Sequence, residues 1–168
     1  AAGGYNLIRI LDWDSSYYYP NIFGYNGNGR DVAAEQLDQF NYFWAACKKK
    51  GIYIDFVMLG GRFATKDVTD DKLSDSEVAD ISQGFKMEVY IDERLQQSTK
   101  KLVRDVLGSV NPYTGTSLAE DRTLAMLEIT NESNLMTMYD DSANYQFKSE
   151  TYKLAAQRFS ALQKIKFH

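Results

Sequence analysis

Apolar and polar positions along the chain fall into alternating blocks of two kinds. Residues 5–11 (YNLIRIL), 51–59 (GIYIDFVML) and 124–130 (LAMLEIT) are short, apolar and rich in branched or aromatic side chains, the character of strands. Between the first two, Leu37, Phe40, Trp44 and Cys47 recur at spacings of three and four, which predicts a helix with Asp31 as N-cap. It runs through Lys50: Lys48, Lys49 and Lys50 complement the helix dipole, and Gly51 stops it. Residues 87–110 are helical by the same rule, with Ile91, Leu95, Leu102, Val103, Val106, Leu107 and Val110 on or near one face. A last helix, about 148–163, would bury Tyr152, Ala155, Phe159 and Leu162.

Strand and helix in alternation predict an α/β fold, a parallel sheet with right-handed crossovers. Two architectures fit, a segment of a (β/α)8 barrel and a small doubly wound sheet. No glycine-rich turn follows the first strand to bind a nucleotide. The loops after the first two strands also far exceed the two to six residues usual in compact α/β units, whereas barrel enzymes build clefts from long loops at the carboxyl ends of strands. The first loop, 12–29 (DWDSSYYYPNIFGYNGNG), carries Trp13, Tyr17, Tyr18, Tyr19, Phe23 and Tyr25. Rings in such a loop either pack on their own domain or meet something flat and partly apolar. A pyranose has such a face, and Asp12, Asp14 and the tyrosine hydroxyls could bind its edge. Gly60-Gly61-Arg62 then opens a polar stretch to about Gly84 that reads as a solvated loop or a small subdomain, without the ligand offsets of a calcium loop. Asn111-Pro112-Tyr113-Thr114-Gly115 predicts a rigid turn. The loop 133–146, with Met136, Met138 and Tyr139, could line a cleft.

Composition narrows the classes. The chain has 168 residues, 44% hydrophobic and 25% charged, ordinary for a globular protein with a real core. A net charge of -4 argues against a nucleic-acid surface. No apolar run approaches the roughly 20 residues that cross a bilayer. The single cysteine, Cys47, has no partner for an internal disulfide and sits in a helical pattern as a packed thiol. The opening Ala-Ala-Gly-Gly has no signal-peptide pattern, so the N-terminus gives no address. No motif asks for a metal or another cofactor.

The chemistry centres on residues 124–134, LAMLEITNESN. Its apolar run ends in Asn131-Glu132, an amide beside a carboxylate where a strand would emerge into a loop. At the carboxyl end of a barrel strand, such a pair is a catalytic candidate. The string EITNE after an apolar strand resembles the fourth strand of the retaining (β/α)8-barrel glycoside hydrolases, the clan of cellulases and mannanases that includes family 5. Ser133 stands where many members have proline, and the histidine usual near the end of their third strand is absent. The resemblance implies that Glu132 is the general acid/base, Asn131 its substrate-binding neighbour and Glu128 a buried structural residue. Asn6 and Arg9 match the spacing of the clan's second strand, where the arginine steadies the nucleophilic carboxylate.

On this reading the chain covers strands two to four, and residues 1–168 are expected to be an incomplete catalytic barrel domain, since a whole barrel takes about 250 residues. The nucleophile would lie beyond His168, so this chain alone should be inactive. The parent would cleave a β-linked saccharide by double displacement, with Glu132 as acid and then base. The expected substrate-binding set is Asn131, Arg9, Trp13, Asp12, Asp14 and Tyr17; the partner is a carbohydrate, with no nucleic acid and no membrane. The resemblance favours an extracellular or periplasmic setting. The alternative is a non-catalytic carbohydrate-binding or scaffold module in which the aromatic loop 13–25 binds and Glu132 is incidental.

Overall fold

A computed structural model of the chain describes residues 3–18, 21–82, 85–90 and 92–132, without the side chain of Met87. The loop expected at 133–146 and the helix expected at 148–163 lie outside the described residues. The element order is β1 (Leu7–Ile10), α1 (Ala34–Lys49), β2 (Tyr53–Val57), α2 (Asp75–Ile81), α3 (Phe85–Glu88), α4 (Glu93–Leu107) and β3 (Leu124–Glu128). The strands form one three-stranded sheet in the order β1-β2-β3. Both pairings are parallel, so each strand lies beside its sequence neighbour with helix in between. No described helix is long and apolar enough to cross a membrane.

Alternation along the strands divides the sheet into two faces. Ile8 and Ile10 of β1, Ile54 and Phe56 of β2 and Leu124 of β3 join the core formed with Phe40, Trp44 and Cys47 of α1 and with Leu102, Val103 and Val106 of α4. The α1 stripe is therefore core, and Cys47 is a buried free thiol. Trp44 and Phe56 are fully buried and meet at 6.2 Å between ring centroids. In β3, Leu124 pairs with Ile54 and Met126 with Asp55, so Ala125 is an extra residue, a bulge. Residues 125–127 were expected to be buried. Met126 and Leu127 are instead 49% and 46% exposed, because β3 is an edge of the described sheet.

Helix boundaries moved for local reasons. Asp31 is not the N-cap of α1: its carboxylate receives Asn28 Nδ2 at 2.8 Å and Lys101 Nζ at 3.3 Å, and Ala33 takes the cap position. The C-terminus follows expectation, with Gly51 at φ 66 and the N–H of Ile52 returning to Cys47 O at 3.0 Å. The helix expected at 87–110 is two shorter helices, α3 and α4, and the second is capped by Asp92, which accepts from Arg94 N at 2.8 Å. Val110, past the Gly108 cap, is exposed.

The polar stretch before them is the small subdomain rather than the solvated loop. Ser74 and Glu77 form a reciprocal capping box that starts α2. Leu59, Ala64, Val68, Leu73, Ile81, Phe85, Val89 and Leu95 make a second core beneath it. Arg62 is buried at its edge, donating to Gly29 O, Thr99 Oγ1 and Ser98 Oγ. Burial lowers its pKa to about 10, which still leaves it charged at neutral pH.

Candidate active site

Because Ile8 and Ile10 face the helices, Arg9 must stand on the opposite face of the sheet. The pairings Arg9↔Asp55 and Val57↔Glu128 bring Asp55 and Glu128 to that same face. There Arg9 reaches across β2 to β3. Its Nε donates to Glu128 Oε1 at 2.7 Å and its Nη2 to Glu128 Oε2 at 2.8 Å, a bidentate fork. Nη2 also donates to Asn131 Oδ1 at 3.0 Å. An arginine presents donors only, so the amide must turn its oxygen to Arg9 and direct its NH2 elsewhere.

The charges are mutually adjusted. The hydrogen bond to Glu128 raises the Arg9 pKa above its ordinary range, and Glu132 adds to that through its charge. Glu128 is held below the usual carboxylate range, chiefly by Arg9. Asp55 is pushed up by burial and by the neighbouring Glu128 carboxylate, against the pull of Arg9.

The segments leaving the strands also converge at their carboxyl ends. Met58 N–H donates to Glu128 O at 2.8 Å and Asn131 N–H to Leu59 O at 3.0 Å, so the chain beyond β3 stays paired with the chain beyond β2. A Cβ on Gly60 would stand 2.6 Å from Asp12 N, so the loops after β1 and β2 touch backbone to backbone. Asp12 and Glu132 both have positive φ, 57° and 52°, conformations uncommon for residues other than glycine and frequent at functional sites. Glu132 is exposed.

Arg9, Asn131 and Glu132 are thus brought together, with Asp12 at the neighbouring loop junction. Two other expected binding residues have structural roles instead. Trp13 is in the core, its ring 5.0 Å from Phe56 and 6.3 Å from Phe40, and its Nε1 donates to Val57 O at 2.6 Å. It has no open face for a sugar. Asp14 is fully buried and accepts from Gly60 N and Gly61 N, the latter at 2.9 Å. Burial raises its pKa. Tyr17 is 87% exposed, and Tyr18 and Tyr25 of the same loop are exposed too. Asp55 was missed by sequence reasoning. Its signal was a lone carboxylate inside GIYIDFVML, a position costly to bury without a partner.

Among the described residues no group of three or more His, Cys, Asp or Glu side chains is arranged to hold a metal ion. The arrangement offers an exposed carboxylate beside an amide whose orientation is fixed by a forked cation, chemistry suited to a hydroxylated neutral ligand. Compared with known proteins, the chain matches no family model and no curated protein. What the structure defines is an α/β protein, a three-stranded parallel sheet alternating with helices and carrying a polar cluster at the carboxyl ends of its strands.

Proposed function

We propose that this chain supplies the second to fourth strands of a retaining (β/α)8 glycoside hydrolase, with Glu132 as its general acid/base. One observation carries the reading: the hydrogen bond from Arg9 to Asn131 joins the two sequence matches, Asn6-x-x-Arg9 and EITNE, at one place beside Glu132. A sheet with an apolar, uncovered edge at Met126, Leu127 and Ile129 among the described residues supports a larger α/β assembly, since parallel sheets are covered on both faces.

In the proposed reaction Glu132 protonates the departing glycosidic oxygen and then deprotonates the water that releases the glycosyl-enzyme. Asn131 binds a sugar hydroxyl through its NH2. The nucleophile must lie about 5–5.5 Å from Glu132. Glu128 is a poor candidate, being occupied by Arg9 and separated from Glu132 by four residues, roughly 13 Å in extended chain. In the complete protein, Glu132→Gln should cripple hydrolysis of substrates with poor leaving groups and largely spare those needing no protonation. Equal loss on both, or on neither, removes Glu132 from the role.

The exposed tyrosines favour one second reading, a non-catalytic carbohydrate-binding module. Sugar binding that survives Glu132→Ala but not Tyr17→Ala, with no turnover in the complete protein, would establish it.

A further inference from the structure

Asp55 is left without a task by that mechanism, yet its surroundings are specific. β1 and β3 are not neighbours in the sheet, so the Arg9–Glu128 fork passes over β2, and Asp55 lies in register with Arg9 under that span. The cover leaves Asp55 5% exposed. Its Oδ2 is 3.9 Å from Arg9 Nε, the same nitrogen that holds Glu128 Oε1 at 2.7 Å, and its Oδ1 has no hydrogen-bond partner among the described residues. Two carboxyls therefore share one guanidinium nitrogen, and because ionised carboxylates are acceptors only, a hydrogen bond between them requires a proton on one.

We propose that Asp55 is a positioning residue: its carboxyl donates to Glu128 from beneath the fork and thereby fixes the Arg9 guanidinium that orients the Asn131 amide. The purpose of an oriented amide rests on the hydrolase reading; the linkage itself does not. The groups facing Asp55 are Arg9 from β1 and Glu128 from β3, with Tyr53 on its own strand face and Glu132 acting through Arg9. With the proton on Asp55, one cation faces one anion. Without it, two buried or half-buried carboxylates compete for one guanidinium, and Arg9 is drawn from the fork toward Asp55. The proton belongs on Asp55 because burial and Glu128 both favour its neutral form, while Arg9 holds Glu128 ionised.

The deciding experiment is a carboxyl-carbon NMR titration of the full 168-residue chain, followed together with the Arg9 Nε–H and Asn131 NH2 signals. Asp55 should titrate above the ordinary 3.8, and the Arg9 and Asn131 signals should move with the same midpoint. Asp55→Asn, whose amide still donates to Glu128, should abolish that step and hold the Asn131 signal at its low-pH position. Asp55→Leu should displace it at every pH. An Asp55 midpoint at or below 3.8, or Arg9 and Asn131 signals indifferent to it, overturns the proposal. Should the leucine variant fail to fold, the native titration and the asparagine variant still decide. None of these signals needs turnover. Loss of the hydrolase reading through Glu132→Gln kinetics would therefore leave the linkage standing, and an uncoupled titration would sink the linkage alone.

Discussion

Arg9 and Glu128 stand on strands separated by a third, yet their side chains meet through two hydrogen bonds of 2.7 and 2.8 Å. Adjacent strands are about 4.8 Å apart, so the contact spans roughly 9–10 Å of sheet and needs a long donor with a forked end. Arginine is the only side chain with that reach and that geometry.

Arg9→Lys should therefore behave as a loss of function rather than a conservative change. Lysine keeps the charge but cannot hold both oxygens of Glu128 and Asn131 Oδ1 together. If the complete protein is the proposed hydrolase, its kcat/KM should fall on the order of 10²-fold, the usual cost of a misplaced binding group. A lysine variant with native rates would dismiss the fork as decoration.

Trp13 and Tyr17 are four residues apart and should respond in opposite ways. Trp13→Ala removes a core ring and its hydrogen bond to Val57 O, and should cost about 3–5 kcal/mol in chemical denaturation. Tyr17→Ala touches an exposed ring and should stay within about 0.5 kcal/mol; on the proposed carbohydrate-binding reading it should also weaken oligosaccharide binding. Equal stability losses would contradict the placement of both rings.

Gly60→Ala should destabilise the protein by about 1–3 kcal/mol, because the added carbon would stand 2.6 Å from Asp12 N, and backbone cannot move aside cheaply. Asp14→Ala should cost a similar amount, about 1–3 kcal/mol, by leaving the Gly60 and Gly61 N–H groups without their acceptor. Both act on the junction of the loops after β1 and β2, so the double variant should lose less than the sum. Denaturant midpoints for the four proteins test this.

The start of α2 should be acid-sensitive. Ser74 and Arg94 together lower the Glu77 pKa from 4.5 to about 2. A carboxylate depressed in the folded state stabilises it above the unfolded value, and that contribution fades as pH falls from about 4.5 toward 2. Amide protection at residues 74–81, corrected for the intrinsic pH dependence of exchange, should fall across that window and stay flat above it. Glu77→Gln should remove the dependence.

The alternation of strand and helix was legible because its apolar blocks are long and their periods distinct. Gly51 was legible as a helix stop for the same reason it works, since it alone adopts φ 66 without strain. The start of α2 was not legible, because its capping signal Ser74-x-x-Glu77 sits in a run rich in acids that reads as solvated, and the Asp92 cap of α4 was hidden inside the apolar period that predicts one helix over 87–110. The aromatic count of the loop 12–29 could not tell Trp13, which packs inward, from Tyr17, which points out; the difference lies in contacts with Phe56 and Val57, more than forty residues away. Arg9, Asn131 and Glu132 were singled out by their spacing and their resemblance to a known pattern, and the structure adds that they lie together. Asp55 needed the register, because only pairing with Arg9 and Val57's pairing with Glu128 reveal that the three share a face.

The bulge at Ala125 has a consequence for how the cluster came to exist. Leu124 and Glu128 are four positions apart, an even number, so in a regular strand they would point the same way. Leu124 faces the helices beside Ile54, and plain alternation would have sent Glu128 there too, a carboxylate among Ile10, Phe56 and Val103. One unpaired residue reverses the parity of everything after it. Whether this sheet carries an acidic group toward Arg9 or buries it in oil is thus decided by an odd or even count of paired residues in β3: pairing Ala125 into a regular ladder would turn Glu128 inward, whereas deleting it would leave Leu124 and Glu128 three positions apart and still on opposite faces.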